Sequence, residues 1–260
     1  MSGSIRVERN GAVGFLVFDH EARRNAISVD MWRAIPEAAR ELSDDDAVRV
    51  VVLRGAGEVA FVAGADISQF DETRTGAGAL DYDVDNARAF AALSGIDKPV
   101  LAMIHGFCIG GGVAIALTAD MRYAADDARL GIPAARLGLG YSSPGIEVLT
   151  QLVGFSRAKE IFFTAKRFDA QEALRMGLLN AVYPKAELEA EVMNVAAMIA
   201  DNAPLTVRSV KLAVRELQKP RELRDHARVD EAIAACYASE DYREGVSAFL
   251  EKRPAQFKGR

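Results

Sequence analysis

Cysteine is scarce in this chain: two are present among 260 residues, Cys108 and Cys236, and they stand far apart in apolar surroundings. A disulfide framework needs an even set of spaced cysteines and a thiolate metal site needs paired ones, so neither is expected. We interpret Cys108 as a small core residue, because no activating neighbour of a thiolate nucleophile can be identified.

Long hydrophobic runs and an excess of positive charge are also missing. No stretch of about 18 apolar residues occurs, so no membrane-spanning helix is expected. The first ten residues are polar and lack the apolar core of a secretory signal, and the formal net charge of −5 argues against a general nucleic-acid binder. We therefore expect a cytoplasmic protein that binds neither nucleic acid nor membrane. Hydrophobic residues make up 50% of the chain, enough for a compact domain with a smaller appendage.

The sequence is organised around residues 105–117, HGFCIGGGVAIAL. The apolar run 100–104 predicts a buried strand, the three glycines 110–112 predict a turn, and residues 113–117 predict a buried helix. Backbone N–H groups at a helix start lack intrahelical partners, and glycines let a ligand approach them closely. We expect an oxyanion site here; a turn that serves only packing is the alternative. Neither the dinucleotide-binding G-x-G-x-x-G spacing nor the lysine of a P-loop is present.

A second strand and glycine loop precede this one. The β-branched run 48–53 predicts a strand covered on both faces, and the loop 57–66 follows it. A repeat of strand–loop–helix units would bring residues 63–65 beside residues 110–111. Two N–H groups from two loops would then face one ligand oxygen.

The remaining elements follow from periodicity and turn residues. The Asn10-Gly11 turn predicts a hairpin of strands 5–9 and 13–18; Ser28 caps a helix that contains Pro36; and residues 71–85 suggest a lid. We place the boundary near residue 200, with a core over 1–200 and a helical region over 201–260. The other predicted helices are 86–93, 144–152, 156–163, 170–176, 203–218, 222–237 and 242–252, and the other predicted strands are 121–125 and 178–182.

Five segments together resemble the enoyl-CoA hydratase/isomerase (crotonase) superfamily along essentially the whole chain. They are residues 23–27 (RRNAI), 61–67 (FVAGADI), 98–117, 169–178 and 248–259 (AFLEKRPAQFKG). The resemblance implies an α/β spiral of β-β-α units with a C-terminal helical region that builds trimers, often paired into hexamers. It also implies an acyl-CoA thioester as ligand, with no cofactor beyond the coenzyme A of the substrate.

The resemblance assigns roles to particular residues. The N–H groups of Ala65 and Gly111 would hold the thioester oxygen and stabilise an enolate, and Tyr141 is a candidate catalytic hydroxyl, the alternative being an aromatic at the pocket rim. Lys252 would approach coenzyme A from a neighbouring subunit, unless it is a solvated charge. The implied substrate-binding residues are Arg24, Ala26, Ala63, Ala65, Asp66, Ile67, Gly110, Gly111 and Lys252.

The departures from the family pattern bear on the reaction. Family hydratases carry two glutamates, and the matching positions here are Ala114 and Ala134, which cannot exchange protons. The segment 139–149 is similar to the matching part of bacterial methylmalonyl-CoA decarboxylase, which has a tyrosine at the place of Tyr141. The leading candidate function is therefore an acyl-CoA enzyme of the hydratase/isomerase superfamily that stabilises a thioester enolate. The alternative enzymes are a malonyl-type acyl-CoA decarboxylase and an enoyl-CoA isomerase. The alternative of another class is a non-catalytic acyl-CoA-binding protein.

Three further polar residues have structural interpretations. His105 ends a strand and is expected to make a structural hydrogen bond. Glu147 is expected on an exposed helix turn rather than as a base. Asp66 is expected to cap a helix.

Overall fold

The structure is a computed structural model, and it describes residues 3–66, 78–141 and 143–260. Residues 71–77 of the expected lid and Ile67 of the expected binding set lie outside the described residues. Residues 78–85, the rest of the expected lid, belong to a helix that starts at Gly78, so the prediction of a helix beginning only at residue 86 was wrong.

A six-stranded sheet forms the larger layer, in the order β1-β2-β3-β5-β7-β10. Only β1 and β2 are antiparallel; the other neighbours are parallel. Parallel strands covered on both faces favour uninterrupted apolar runs, as found in β3 and β5. The strands are β1 (Ser4–Asn10), β2 (Val13–Asp19), β3 (Val50–Gly55), β5 (Val100–Ile104), β7 (Met121–Ala125) and β10 (Ala181–Tyr183).

The hairpin turn lies one residue later than predicted. Asn10 pairs with Val13, so the two loop residues are Gly11 and Ala12, and only Gly11 has a positive φ, 57°. Glycine at the first loop position is the requirement of a type II′ turn. The predicted strand 178–182 also starts too early. Leu178 and Leu179 pack in the core before strand β10, which begins at Ala181.

A four-stranded sheet forms the second layer, in the order β4-β6-β8-β9. Its strands are β4 (Ala60–Val62), β6 (Phe107–Ile109), β8 (Arg129–Gly131) and β9 (Phe168–Asp169). A short link connects β3 to β4, β5 to β6 and β7 to β8. Each of these pairs therefore adds one strand to the larger sheet and one to the smaller sheet. This repetition confirms the predicted α/β spiral.

Nine helices of the described residues accompany the sheets. Ser28 caps the first by accepting a hydrogen bond from Met31 N, and that helix continues through Pro36. Gly154, at φ 76°, divides the long fourth helix where two helices were expected. The helices are α1 (Val29–Asp44), α2 (Gly78–Gly95), α3 (Gly111–Thr118), α4 (Ser143–Thr164), α5 (Ala170–Arg175), α6 (Leu188–Ala200), α7 (Pro204–Gln218), α8 (His226–Ala238) and α9 (Glu240–Glu251).

The helices cover both faces of the larger sheet. On one face, Trp32 and Ile35 of α1 join the main core; on the other, Leu188 and Val192 of α6 pack on the strands. The C-terminal helices α7–α9 lie beyond this core and leave large apolar side chains exposed, among them Phe249 at 83%. The boundary at residue 200 stays a prediction. No helix in the described parts of the chain has the length and apolar character needed to cross a bilayer.

Candidate active site

The turn from β6 into α3 uses two of its three glycines for structural reasons. Gly110 has φ 56°, and its N–H donates to Gly131 O at 2.8 Å. A Cβ atom on Gly112 would overlap the carbonyl oxygen of Val62. Glycine is therefore required at 110 by backbone conformation and at 112 by close packing.

The middle glycine, Gly111, has no such requirement. A Cβ atom on it would lie 3.6 Å from Trp32 Cζ2 and 3.9 Å from Ala65 N, which is ordinary contact distance. Gly111 is also the first residue of α3, where the backbone N–H has no intrahelical acceptor. The open side of Gly111 thus borders both the Ala65 amide and the edge of an indole ring.

Ala65 presents its amide to this space because of a short parallel pairing. Ile27 N donates to Gly64 O at 2.8 Å, and Asp66 N donates to Ile27 O at 2.9 Å. In such a bridge the groups flanking the central residue make the bonds, so the N–H of Ala65 itself faces away from Ile27. The structure therefore brings the amides of Ala65 and Gly111 to one place, from two different turns of the spiral.

The two alanines that the resemblance assigns to the positions of the hydratase glutamates lie beside this turn. Ala114 is half-buried one helical turn after Gly111. Ala134 is buried and directly follows Pro133, whose Cδ atom is 4.0 Å from the Cβ position of Gly110. Neither methyl group can exchange a proton, so these two side chains cannot act as a general acid or a general base.

Tyr141 lies near the same region and is half-buried. Its ring meets Phe162 edge-on at 4.9 Å between centroids. Burial raises the pKa of Tyr141 to about 12, with a smaller contribution from the nearby thiol of Cys108. The phenol therefore stays protonated at neutral pH, which suits a hydrogen-bond or proton donor and not a base.

An exposed cationic cluster surrounds the ring of Phe107. The guanidinium carbon of Arg24 is 4.8 Å from the centroid of the Phe107 ring, and that of Arg167 is 5.7 Å from the same centroid. Two exposed cations beside one aromatic ring form a site suited to an anionic ligand. Sequence reasoning identified Arg24 but missed Phe107 and Arg167, because only the pairing of β6, β8 and β9 makes them neighbours.

Asn25 is a further residue that sequence reasoning passed over. It is fully buried, with φ 57°, and its side-chain amide donates to Ala56 O at 2.9 Å and to Ala60 O at 2.8 Å. Asparagine tolerates this left-handed conformation better than most residues. Its place in the RRNAI segment was the one feature of the sequence that could have drawn attention to Asn25. Its hydrogen bonds hold the loop that carries Arg24 and Ala26 in place.

The remaining members of the predicted binding set have local contacts. Ala63 N donates to Arg24 O at 3.1 Å, and Asp66 forms an ion pair with Arg23 at 3.8 Å. The helix that Asp66 was expected to cap would fall outside the described residues. Lys252 is exposed at the C-terminus of α9, where its own backbone N–H donates to Phe249 O at 3.3 Å.

Three other singled-out side chains have structural environments. Cys108 is fully buried, which confirms its interpretation as a core residue, and burial raises the pKa of its thiol. Glu147 is exposed on α4 and accepts a hydrogen bond from Gln151, one turn later. His105 is buried, and the described part of the chain contains no hydrogen bond of its imidazole ring, contrary to expectation. Burial lowers the pKa of His105.

Known proteins with similar sequences and structures point to one family. The family model described as enoyl-CoA hydratase/isomerase matches residues 8–260. A short-chain-enoyl-CoA hydratase from Clostridium acetobutylicum is 35% identical over 99% of this chain and 98% of its own length. A carnitinyl-CoA dehydratase from Escherichia coli O157:H7 is 31% identical over 100% of both chains.

Solved structures agree with this result. The crystal structure of an enoyl-CoA hydratase/carnithine racemase from Magnetospirillum magneticum superposes with a TM-score of 0.95, at 33% identity over 100% of this chain and 97% of that one. A family protein from Hyphomonas neptunium gives 0.94 at 35% identity, over 98% of both chains. The fold, the family model and these relatives together show that the chain belongs to the enoyl-CoA hydratase/isomerase (crotonase) family of acyl-CoA enzymes.

Proposed function

We propose that this chain transforms an acyl-CoA thioester by holding the thioester oxygen between the N–H groups of Ala65 and Gly111. The observation that carries the proposal is the 3.9 Å separation of Ala65 N from the Cβ position of Gly111. The Ala65 N–H also faces away from Ile27, and the Gly111 N–H, at the start of α3, has no intrahelical acceptor. Donors fixed before the reaction stabilise an oxyanion without reorganising. The charge that develops on the thioester oxygen as an enolate forms is the charge such a pair accommodates.

The residues around this oxyanion site limit what can follow enolate formation. Hydration needs a group that activates water and a group that delivers a proton, and Ala114 and Ala134 supply neither. The relatives' names favour hydration all the same, so a working hydratase would need another acid or base. Tyr141, kept protonated by burial, is the candidate donor.

A second candidate is decarboxylation of a malonyl-type thioester, and the apolar inner end of the site favours it. The bond between the α-carbon and the carboxylate breaks, its electron pair moves to the thioester carbonyl to form the enolate, and carbon dioxide leaves. The α-carbon then takes a proton from Tyr141 or water, and solvent reprotonates the phenol. This sequence needs an electron sink and one proton donor, and no general base.

The outer end of the site suits coenzyme A. Arg24 and Arg167 place two cations on Phe107 at the surface, where the phosphates of coenzyme A would remain solvated. Lys252 is exposed on the helical region that would pack against a second copy, so in a trimer it would reach coenzyme A bound to the neighbouring subunit.

The first experiment compares turnover of crotonyl-CoA with that of malonyl-CoA and methylmalonyl-CoA by the purified protein. Loss of the conjugated absorbance of crotonyl-CoA supports hydration, whereas release of carbon dioxide from a malonyl-type substrate supports decarboxylation. Binding of the thioesters without any turnover would overturn the enzyme proposal and leave an acyl-CoA-binding protein.

A matched pair of variants tests the oxyanion site itself. Gly111→Pro removes the N–H at the first helical position, where proline is tolerated, and Gly111→Ala adds the same Cβ atom but keeps the N–H. Loss of one such donor typically slows turnover by roughly 100-fold to 1000-fold, so Gly111→Pro should fall below Gly111→Ala by about this factor. Equal rates in the two variants, with both folded by thermal melting, would remove Gly111 N–H from the mechanism.

A further inference from the structure

One wall of the proposed thioester site is a tryptophan edge. Trp32 Cζ2 lies 3.6 Å and Trp32 Cη2 3.9 Å from the Cβ position of Gly111, on the same open side that borders Ala65 N. A thioester whose oxygen bonds to the Ala65 and Gly111 amides would therefore lie beside the six-membered ring of the indole. Nothing in the sequence predicted this role for Trp32.

The indole is held in place by neighbours on α2. Its Nε1–H donates to the hydroxyl of Tyr82 at 3.2 Å, and its ring meets Phe90 edge-on at 5.3 Å between centroids. Trp32 is only 2% exposed. A large planar side chain with a hydrogen bond at one end and an aromatic contact on its ring cannot swing aside without losing both.

The direction of the bound ligand follows from burial. A thioester carbonyl has two substituents, and the coenzyme A arm is large and polar and must reach solvent, on the side of Arg24. The acyl substituent then turns inward, toward the buried Trp32 wall. Because the indole edge lies 3.6 Å from the Cβ position of Gly111, beside the proposed carbonyl site, we expect little depth behind the first acyl carbons.

We infer that Trp32 selects short acyl groups; this inference rests on the proposed function of the Ala65–Gly111 site. A longer chain would gain hydrophobic energy with each methylene in an open pocket, so weaker binding of long chains requires a wall. Trp32 is the residue in position to supply that wall, and α2 keeps it rigid through Tyr82 and Phe90.

The test measures the affinities of butyryl-CoA and octanoyl-CoA by isothermal titration calorimetry. Both thioesters are saturated and carry no second carboxylate, so neither hydration nor decarboxylation consumes them. The wild-type protein should bind butyryl-CoA at least about tenfold more tightly than octanoyl-CoA. Trp32→Phe should reduce this ratio to about threefold or less, and Trp32→Leu should reduce or reverse it.

The control is Phe18→Leu, which removes aromatic volume from the same core at a position that packs on Phe61 and not on the site. Its affinity ratio should match the wild type. If Trp32→Leu fails to fold, Trp32→Phe carries the test, because it keeps an aromatic ring in the same place. Unchanged ratios in the folded Trp32 variants overturn the inference and leave the proposed function intact.

A fluorescence titration checks the contact directly. Trp32 is the only tryptophan in the sequence, so its emission reports on this wall alone. Butyryl-CoA should change the emission spectrum, and free coenzyme A, which lacks an acyl group, should change it less. Binding of butyryl-CoA by calorimetry with a silent indole overturns the inference, whereas no binding of butyryl-CoA at all overturns the proposed function with it.

Discussion

The inner and outer ends of the proposed site are built from different kinds of group. At the inner end, backbone amides of Ala65 and Gly111 lie among apolar side chains, with the indole of Trp32 on one side. At the outer end, the guanidinium groups of Arg24 and Arg167 lie on an aromatic ring at the surface. Packing of buried groups holds the inner end in place, whereas the outer end depends on the positive charge of exposed side chains.

This difference matches the two ends of an acyl-CoA thioester. The thioester needs a few donors in a dry setting, where hydrogen bonds to a developing charge are strong. The phosphates need cations that remain solvated, where each contact is worth little but several add up. Substitutions at the inner end should therefore change stability or turnover sharply, and those at the outer end should change affinity by modest factors.

The largest effect is expected from Gly112→Ala, at the base of the inner end. Its Cβ atom would overlap the backbone oxygen of Val62, which cannot move without displacing β4. We expect a loss of at least about 3 kcal/mol in the free energy of unfolding, measured by urea denaturation. Gly111→Ala, whose Cβ atom has room, is the matched control and should lose far less. Similar losses of unfolding free energy in the two variants would contradict the conclusion that close packing requires glycine at 112 and not at 111.

Tyr141→Phe should slow turnover at least tenfold, about 1.4 kcal/mol of barrier, because it removes the hydroxyl proposed as the proton donor. The ring contact with Phe162 is kept, so melting temperature should stay close to the wild type. Since the pKa of Tyr141 is raised to about 12, the phenol is protonated throughout neutral pH. The fold-difference between the two proteins should accordingly be constant between roughly pH 6 and pH 9. Unchanged kinetics would remove Tyr141 from the mechanism.

Arg167→Ala tests the outer end. Loss of one exposed cation should raise the KM for acyl-CoA by about fivefold, roughly 1 kcal/mol, and leave kcat unchanged. The difference should shrink at high salt, because exposed charges are screened. Arg40→Ala, at an exposed position on α1, removes an arginine away from this cluster. An equal change in KM for both variants would reduce the Arg24–Phe107–Arg167 cluster to general surface charge.

The smallest effect is expected at His105, which belongs to neither end. Burial lowers its pKa, with Glu58, Lys185, Asp127 and Glu189 as the surrounding charges. The folded protein therefore holds fewer protons than the unfolded chain near and below the ordinary value of about 6.5. Its contribution to stability is present above that pH and is lost as the pH falls through the folded-state pKa. His105→Asn should flatten this acid-side decrease in melting temperature; an unchanged pH profile would contradict the assignment.

Much of the fold was predictable because its signals are local. The apolar runs predicted the central strands, and Ser28 predicted the cap of α1. The gap between the predicted helices 144–152 and 156–163 corresponds to the break in α4 at Gly154. The errors lie where tertiary packing overrode local preference. Leu178 and Leu179 were predicted in a strand because they open an apolar run, but they pack in the core before β10 begins.

The candidate site was predictable to a smaller extent. The glycine run and the RRNAI segment pointed to Gly111, Ala65 and Arg24, but nothing in them assigned different tasks to Gly110, Gly111 and Gly112. That distinction depends on what lies opposite each Cα atom: a proline, an indole with an amide, and a carbonyl oxygen. The roles of Trp32, Phe107 and Arg167 in the site were not predicted, because their partners are between 50 and 83 positions away in the chain.

The sequence alone determined the family, the spiral of two-sheet units and the absence of carboxylates at Ala114 and Ala134, because residue identity and order carry these properties. The sequence also predicted that residues 63–65 lie beside residues 110–111. Only the tertiary structure decided that an indole borders the space between them and that two arginines contact one phenylalanine ring. Backbone direction and contact between distant segments are set by how strands pair and helices pack. Those depend on the whole chain at once and not on any one stretch of it.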